Sequence, residues 1–358
     1  MGGKSVNDDF KNIFKVASVY AGTILGAGFA SGQEIKQFFV IYGYQSIYGI
    51  ILSGILFALI GTVVLNKIYC YRIHSYHQYI TPLIGQKLER MVEWVVCLFM
   101  LSSYCVMVAG SGAIFHEEFS WRVEMGILAM SMLCLIVFLN DIKGVVTVNS
   151  ILTPIMLIGI AFLGGYILIF KDTAVMSLIN VARQATYNWL SSSLIYVSYN
   201  TLTLIVIMTA LLPLLTRRRV AVLGGLFGGI SLGLIAFILW AVMLMFYSDI
   251  FSYEIPFLYI VMKKGKVMEL IYIFILFCAM FTTAVANGYG FLNRVVQWTG
   301  MNKTVCTIIF CALAIPLAQL GFSNLVKNLY TLFGYLGMFM VIIILLDGIK
   351  ELLRRGSR

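Results

Sequence analysis

Apolar runs of about 20 residues, set apart by short charged clusters, fix the terms on which this chain can fold. A bilayer-spanning helix needs about that length of mostly apolar sequence. Reading the runs between charged clusters predicts about ten spans. Their approximate bounds are 12–42, 45–66, 91–115, 124–139, 145–170, 187–214, 220–246, 267–290, 303–320 and 327–347. Composition agrees: 61% of residues are hydrophobic and 11% are charged. Soluble domains run at about 45–50% apolar and about 25% charged. The sequence therefore predicts an all-α integral membrane protein, a single polytopic domain over 1–358 with no room for a separate soluble one.

The net charge of +10 does not point to nucleic acid, because the basic residues fall at span ends. Lys4, Lys11 and Lys15 open the first span. Lys67, Arg72, Lys87 and Arg90 follow the second, and Arg217, Arg218 and Arg219 the sixth. Arg294 and Lys303 lie between the eighth and ninth; Lys350, Arg354, Arg355 and Arg358 come last. With ten spans all of these share one side. The positive-inside rule makes that side cytoplasmic, with both termini on it. The opposite loops carry Glu117, Glu118, Glu124, Asp249 and Glu254. Lys263, Lys264 and Lys266 run against this assignment, as do Arg122, Lys171 and Arg183, but the other clusters outvote them. The first apolar run is broken by Tyr20, Gly22, Thr23 and Gly26, a poor match to the core of a cleaved signal peptide.

Enzyme chemistry finds no support. The seven cysteines, Cys70, Cys97, Cys105, Cys134, Cys278, Cys306 and Cys311, form no CxxC pair and read as small apolar packing residues. The three histidines, His74, His77 and His116, belong to no HExxH. Neither a G-x-S-x-G elbow nor a phosphate-binding GxxxxGK[ST] loop is present. A small molecule crossing here would be driven by a gradient or would flow passively.

The polar content of the spans narrows the choice. The first, about 31 residues by these bounds, is too long for one straight span. It contains "GTILGAGFASGQE", Gly22 to Glu34. Glycine accepts the dihedrals of a helix break, so two half-helices meeting near Gly26–Gly28 are one reading. Close helix packing through small residues is the other. Glu34 tilts the choice toward a functional break, since an intramembrane acid is a functional candidate. An outward-facing acid paired with Lys36 is the alternative. The sixth span carries "SSSLIYVSYNTLT", Ser191 to Thr203, which reads as a second interruption or as hydroxyls bonded across a packed interface. Interrupted segments at matching places in two halves of five indicate an inverted-repeat transporter site. The halves are about 11–170 and about 187–347. In the eighth span Ala279, Thr282 and Thr283 fall on one helix face. Two adjacent hydroxyls there form an oxygen cluster, or else bond back to their own helix.

"GTILGAGFASGQEIKQFF" resembles the signature of the bacterial YkvI-type membrane proteins, relatives of the amino acid–polyamine–organocation superfamily. The resemblance is specific in the first span; elsewhere it rests on span count, topology and spaced polar residues. It implies the LeuT-like fold of five plus five inverted helices, with helices one and six interrupted. In sodium-coupled relatives one ion sits between the first-span break and the eighth span. Carried onto this sequence, its ligands are the carbonyls of Gly22, Leu25 and Ala279 and the hydroxyls of Thr282 and Thr283. A second sodium is not implied, because Phe29 stands where the relatives have an asparagine. Some proton-coupled relatives replace the ion with a lysine from the fifth span, and "VVTVNSILTPIMLIGIAFLGGYILIF" contains no lysine or arginine.

These readings predict a secondary active transporter of the bacterial cytoplasmic membrane. It would be a sodium-coupled symporter of an amino acid or similar small zwitterion, working by alternating access. Amides near Gly26, Ala27 and Gly28 would hold the substrate carboxylate. Tyr196, Ser198, Tyr199 and Asn200 would line the other side, with Tyr104 and Ser111 completing it. Sodium is the expected coupling ion, and no other cofactor is expected. Partners are a small-molecule substrate and the lipid bilayer, with no nucleic acid; the oligomeric state stays open. Three alternatives remain: proton coupling through Glu34, a non-transporting ligand-sensing subunit of the same fold, and a passive channel.

Overall fold

Six helices are long and apolar enough to cross a membrane among the described residues of the computed structural model. Those residues are 6–170, 188–253, 255–318, 333–335, 337–348 and 350. Three shorter apolar helices and an interrupted first segment bring the count to the ten spans expected. Lys4, Lys171, Arg183, Glu254, Arg354, Arg355 and Arg358 lie outside the described residues, as do positions 187, 319–320, 327–332 and 336 of the expected spans.

The first segment is α1 (Val6–Ile24), α2 (Ala27–Ala30) and α3 (Gln33–Phe38). Then follow α4 (Ser46–Tyr71), α5 (Tyr76–Phe119), α6 (Val123–Leu139) and α7 (Asp141–Ile169). The second half holds α8 (Trp189–Ala210), α9 (Arg218–Met245), the short α10 (Tyr247–Ile250) and α11 (Pro256–Met262), α12 (Lys266–Thr299) and α13 (Lys303–Ala318). A last helix runs Phe333–Gly348. In α5, Gly85 adopts φ 79°, a conformation glycine takes without steric cost. It separates a leading segment from the third span.

Close packing of small residues builds the frame around α1. On α4, Gly54, Ala58 and Gly61 face Gly233, Gly229 and Gly225 of α9. A β-carbon on Gly229 would fall 2.3 Å from the backbone nitrogen of Ala58, so the two backbones touch, as small-xxx-small helix pairs allow. Tyr20 of α1 fills the notch between Gly61 and Gly228, and its hydroxyl donates to Phe57 O at 2.6 Å. The hydroxyl is thereby satisfied where no water is available.

The sixth span departs from expectation. α8 is continuous through Ser198, so of the two interruptions expected only the first is found. Several of its polar groups bond back to their own helix, Asn200 Nδ2 to Tyr196 O at 3.0 Å and Thr201 Oγ1 to Val197 O at 2.7 Å, while Ser192 Oγ donates across to Phe38 O at 2.8 Å. No glycine or proline occurs from Trp189 to Ala210. The hydroxyls and amides therefore had no backbone break to serve.

The lysines that disagreed with the charge rule have local partners. Lys263 pairs with Asp249 at 3.0 Å and lies over the Tyr259 ring. Lys264 donates to Phe170 O at 3.2 Å, and Lys266 pairs with Glu269.

The small-residue contact yields a direct test. Gly229→Ala is expected to lower the thermal midpoint of the detergent-solubilised protein, at a cost at or above the roughly 1–3 kcal/mol typical of overpacking. Gly165→Ala, at a position with nothing within 4 Å of the new β-carbon, should leave the midpoint unchanged or slightly raised.

Candidate functional site

The helical ladder of the first span stops at Leu25 and Gly26. Gly26 is extended, with φ −87° and ψ −173°. Its N–H would close the next turn on Gly22 O but donates to Ile24 O instead, at 2.7 Å. Gly22 O is left to the hydroxyl of Thr283 on α12, 3.5 Å away. Gly26 packs on the same side chain: a β-carbon there would lie 3.0 Å from Thr283 Oγ1. The expected glycine-rich break and the eighth-span threonines thus meet in space. Thr282 donates to Ala279 O at 3.1 Å, so two of the expected ion ligands are bonded to each other.

The fifth span adds two residues the sequence reading passed over. Asn149 and Thr153 of α7 are fully buried, and Asn149 Oδ1 and Thr153 Oγ1 have no hydrogen-bond partner among the described residues. Both face Gly22, where a β-carbon would fall 2.0 Å from the first oxygen and 2.3 Å from the second. Their i, i+4 spacing puts them on one helix face. The spacing is visible in the sequence, but an amide and a hydroxyl in an apolar run do not show whether their oxygens are bonded locally. Buried oxygens without donors are costly. A small monovalent cation among neutral oxygens would satisfy them, and the donor set fits sodium on that ground; a divalent ion would call for carboxylates. Among the described residues no group of three or more His, Cys, Asp or Glu side chains could hold a metal ion.

On the other side of the break lies a carboxylate among aromatic rings. Gly32, at φ 78°, ends α2 and reverses the chain into α3. This folds Glu34 back onto Gly28, where a β-carbon would fall 2.3 Å from Glu34 Oε1. Glu34 is buried at 6% exposure. It is not paired with Lys36, whose Nζ reaches Tyr253 O at 2.6 Å. Tyr196 sits at the centre of Phe29, Phe38, Phe39 and Phe57, with ring centroids 6.5, 5.5, 5.0 and 5.8 Å away. The Tyr199 ring belongs to the same cluster, 5.8 Å from Phe38 and 5.8 Å from Tyr196. Ala27 is buried in the same turn.

Other expected residues lie elsewhere. Tyr104 faces Phe310, Phe138 and Cys311, and Ser111 bonds to Val108 O and Gly126 O, stapling α5 to α6. The α5 face turned to α8 and α12 carries Phe99, near Tyr199, and Ser103, which accepts from Asn287. The Ser198 backbone packs on Gly337 of the last helix. The structure therefore brings Gly22, Gly26 and Thr283 together on one side, with Ala279 and Thr282 bonded to each other on α12, and Gly28, Glu34, Tyr196 and Tyr199 on the other. It does not bring Tyr104, Ser111 or the Ser198 backbone to either group.

No family model matches the chain. It is 30% identical over 336 residues to a protein of Bacillus subtilis (strain 168) called uncharacterized membrane protein YkvI, covering 91% of this chain and 93% of that one. The chain belongs to the YkvI family. A second relative from the same organism, the uncharacterized protein YyaD, is 27% identical over 331 residues, 91% of this chain and 94% of that one. The relative is named a membrane protein, and with its several apolar helices this chain is a multi-pass membrane protein. Its structure is similar to that of a Na+-coupled sialic acid symporter in a substrate-bound outward-open state, with TM-score 0.69, 12% identity and coverage of 94% of this chain and 78% of that one. It also resembles the manganese transporter of Eremococcus coleocola, with TM-score 0.63, 14% identity and coverage of 97% and 80%. A third likeness is to Mhp1, a nucleobase-cation-symport-1 family transporter, with TM-score 0.56, 13% identity and coverage of 90% and 74%. At these identities the likeness establishes the fold, which is LeuT-like.

The contact of Gly22 with the fifth span can be tested without a substrate. Gly22→Ala is expected to push α1 and α7 apart and lower the thermal midpoint of the protein. Adding Asn149→Ala and Thr153→Ala, which clears both obstructing oxygens, should recover part of the loss. No recovery would place the strain elsewhere.

Proposed function

We propose that this protein is a sodium-coupled symporter of a small nitrogenous solute, an amino acid or similar small zwitterion, working by alternating access. One observation carries the reading. The first helix breaks beside Thr283, and two buried oxygens of α7 without donors converge on the same turn. Irregular backbone survives at membrane depth only where it lines a cavity or is buried in protein, and freed carbonyls at such breaks suit cations. Gly22 O, Leu25 O, Ala279 O, Thr282 Oγ1 and Thr283 Oγ1 would hold the ion. Asn149 Oδ1 and Thr153 Oγ1 would complete its shell from the fifth span.

Both ends of the interrupted segment are tied. At the α1 start Asp9 pairs with Arg217 at 2.9 Å and accepts from Thr216, joining α1 to the stretch after α8. Beyond the break, Tyr272 donates to Ala30 O at 2.6 Å and Phe257 N–H to Ser31 O at 3.0 Å. Alternating access in this reading is the release of one set of ties while the other holds. In this reading the Asp9 end, on the side of the basic clusters, would face the cytoplasm, and the membrane would be the bacterial cytoplasmic one.

Cys70 reports on that orientation. It is the exposed cysteine, at the end of α4; the other six are buried. A membrane-impermeant maleimide is expected to label it in inside-out vesicles and not in intact cells; the reverse pattern would invert the topology.

The ion is tested by substrate affinity across a sodium series in proteoliposomes, with choline as the balancing ion and accumulation against a gradient scored in parallel. Losing a ligand to a charge costs roughly 1.5–3 kcal/mol by analogy with charged hydrogen bonds. Thr282→Val with Thr283→Val should therefore weaken sodium-stimulated binding by at least about a hundredfold if the losses add. Sodium-independent wild-type binding would end the coupling reading. Binding with no accumulation would favour a sensor, and downhill flux alone a channel.

A further inference from the structure

The carboxylate against Gly28 bears on what the site would accept. In the sequence reading, the substrate carboxylate was to sit on the amides near Gly26–Gly28. The structure puts the protein's own carboxylate against that turn. Glu34 Oε1 packs on Gly28 closely enough to exclude any β-carbon there, and the helix that would have offered its N-terminus, α2, is four residues long. A second carboxylate brought to this turn would meet a like charge at close range in a medium of low dielectric.

Two further features describe a site for the opposite charge. Glu34 Oε2 is buried with no hydrogen-bond partner among the described residues, so one oxygen of a largely buried acid is left for something that donates. Beside it stand the rings around Tyr196, with Phe38 also 5.8 Å from Tyr199. Aromatic faces attract cations through their quadrupoles, most strongly when water is excluded, and a buried carboxylate is stabilised by a paired cation. An acid and several ring faces packed together away from water match an organic ammonium: the nitrogen would donate to the acid while its methylenes would lie on the rings.

We infer that Glu34 and the aromatic box around Tyr196 form a recognition site for a protonated amine, and that a carboxylate on the cargo is dispensable. The substrate class narrows to small organic amines, with or without an acid group. The inference rests on reading the first-span break as the substrate site, and it deepens that reading. Sodium would bind across the break, on the α7 and α12 side, and the amine on the α8 side, so two cations would share one interrupted helix with Glu34 balancing one of the charges.

The test uses the purified full-length protein and matched probes: phenethylamine, L-phenylalanine and 3-phenylpropionate, with methylamine and putrescine to vary size. Binding is measured by calorimetry at fixed sodium and fixed pH. The expected result is that at least one free amine binds, that phenethylamine binds at least as well as L-phenylalanine, and that 3-phenylpropionate does not bind. Glu34→Gln, which keeps the shape and removes the charge, should weaken amine binding tenfold or more at an unchanged melting temperature. If Glu34→Gln cannot be recovered folded, Phe38→Leu, which keeps the acid and removes a ring, should weaken it severalfold. Binding of 3-phenylpropionate in preference to phenethylamine, binding of none of the amines, or full affinity in the substituted proteins would overturn the inference. The two proposals fail separately. A zwitterion that accumulates with sodium while its decarboxylated analogue neither binds nor competes removes amine recognition and leaves symport. An amine that binds through Glu34 without accumulating removes symport and leaves the recognition site.

Discussion

The structure turns on one unmade hydrogen bond. In a continuous helix the Gly26 N–H would close on Gly22 O; here it donates to Ile24 O, and the carbonyl at Gly22 faces α12. Inside a membrane a freed carbonyl cannot turn to water. The Thr283 hydroxyl must come to it, and α12 and α7 must pack where their oxygens can reach the break. The turn that follows, closed by Gly32 in a left-handed conformation, carries Glu34 back onto Gly28. One backbone departure thus creates two chemically distinct faces, neutral oxygens on one side and a carboxylate among rings on the other.

A broken helix needs a rigid neighbour. The α4–α9 pair supplies it by backbone contact through Gly54, Ala58 and Gly61 on one side and Gly225, Gly229 and Gly233 on the other. Lipid offers little hydrophobic drive between helices, so close van der Waals packing does that work. Tyr20, wedged between Gly61 and Gly228 and bonded to Phe57 O, holds α1 to this frame one turn before the break. The glycines of the first span and those of α9 therefore serve different ends: Gly26 releases the helix, whereas Gly225 and Gly229 let two helices touch.

Much of this was legible in order of physical strength. Ten apolar runs give ten segments, because hydrocarbon tolerates little else. The Gly26 break and its approach to Thr283 follow from glycine and hydroxyl spacing read together with the family resemblance. The sixth-span reading failed because serines, threonines and asparagines in a helix can satisfy themselves on carbonyls of the preceding turn, as Asn200 and Thr201 do. Asn149 and Thr153 were missed for a related reason: an amide and a hydroxyl in an apolar run carry no sign of whether their oxygens bond locally or stand open. Tyr104 and Ser111 were placed on the right helix but on the face toward α6 and α13, which depends on the rotation of α5 and not on its composition.

What the sequence by itself determined are properties that each residue carries alone or passes along one helix: apolar length, the ends marked by lysine and arginine, and the glycines that permit a break or a close approach. Tertiary structure decided which side chains answer the freed backbone groups. Glu34 could have faced the outer surface beside Lys36; the φ of Gly32 and the packing of Tyr196 and Phe38 turn it inward instead. Whether a buried oxygen has a donor is settled by helices more than a hundred residues apart in sequence, as Gly22 and Thr283 are. Hydrogen bonds reach only about 3 Å, so no pattern along one helix can say which distant helix will come within that distance.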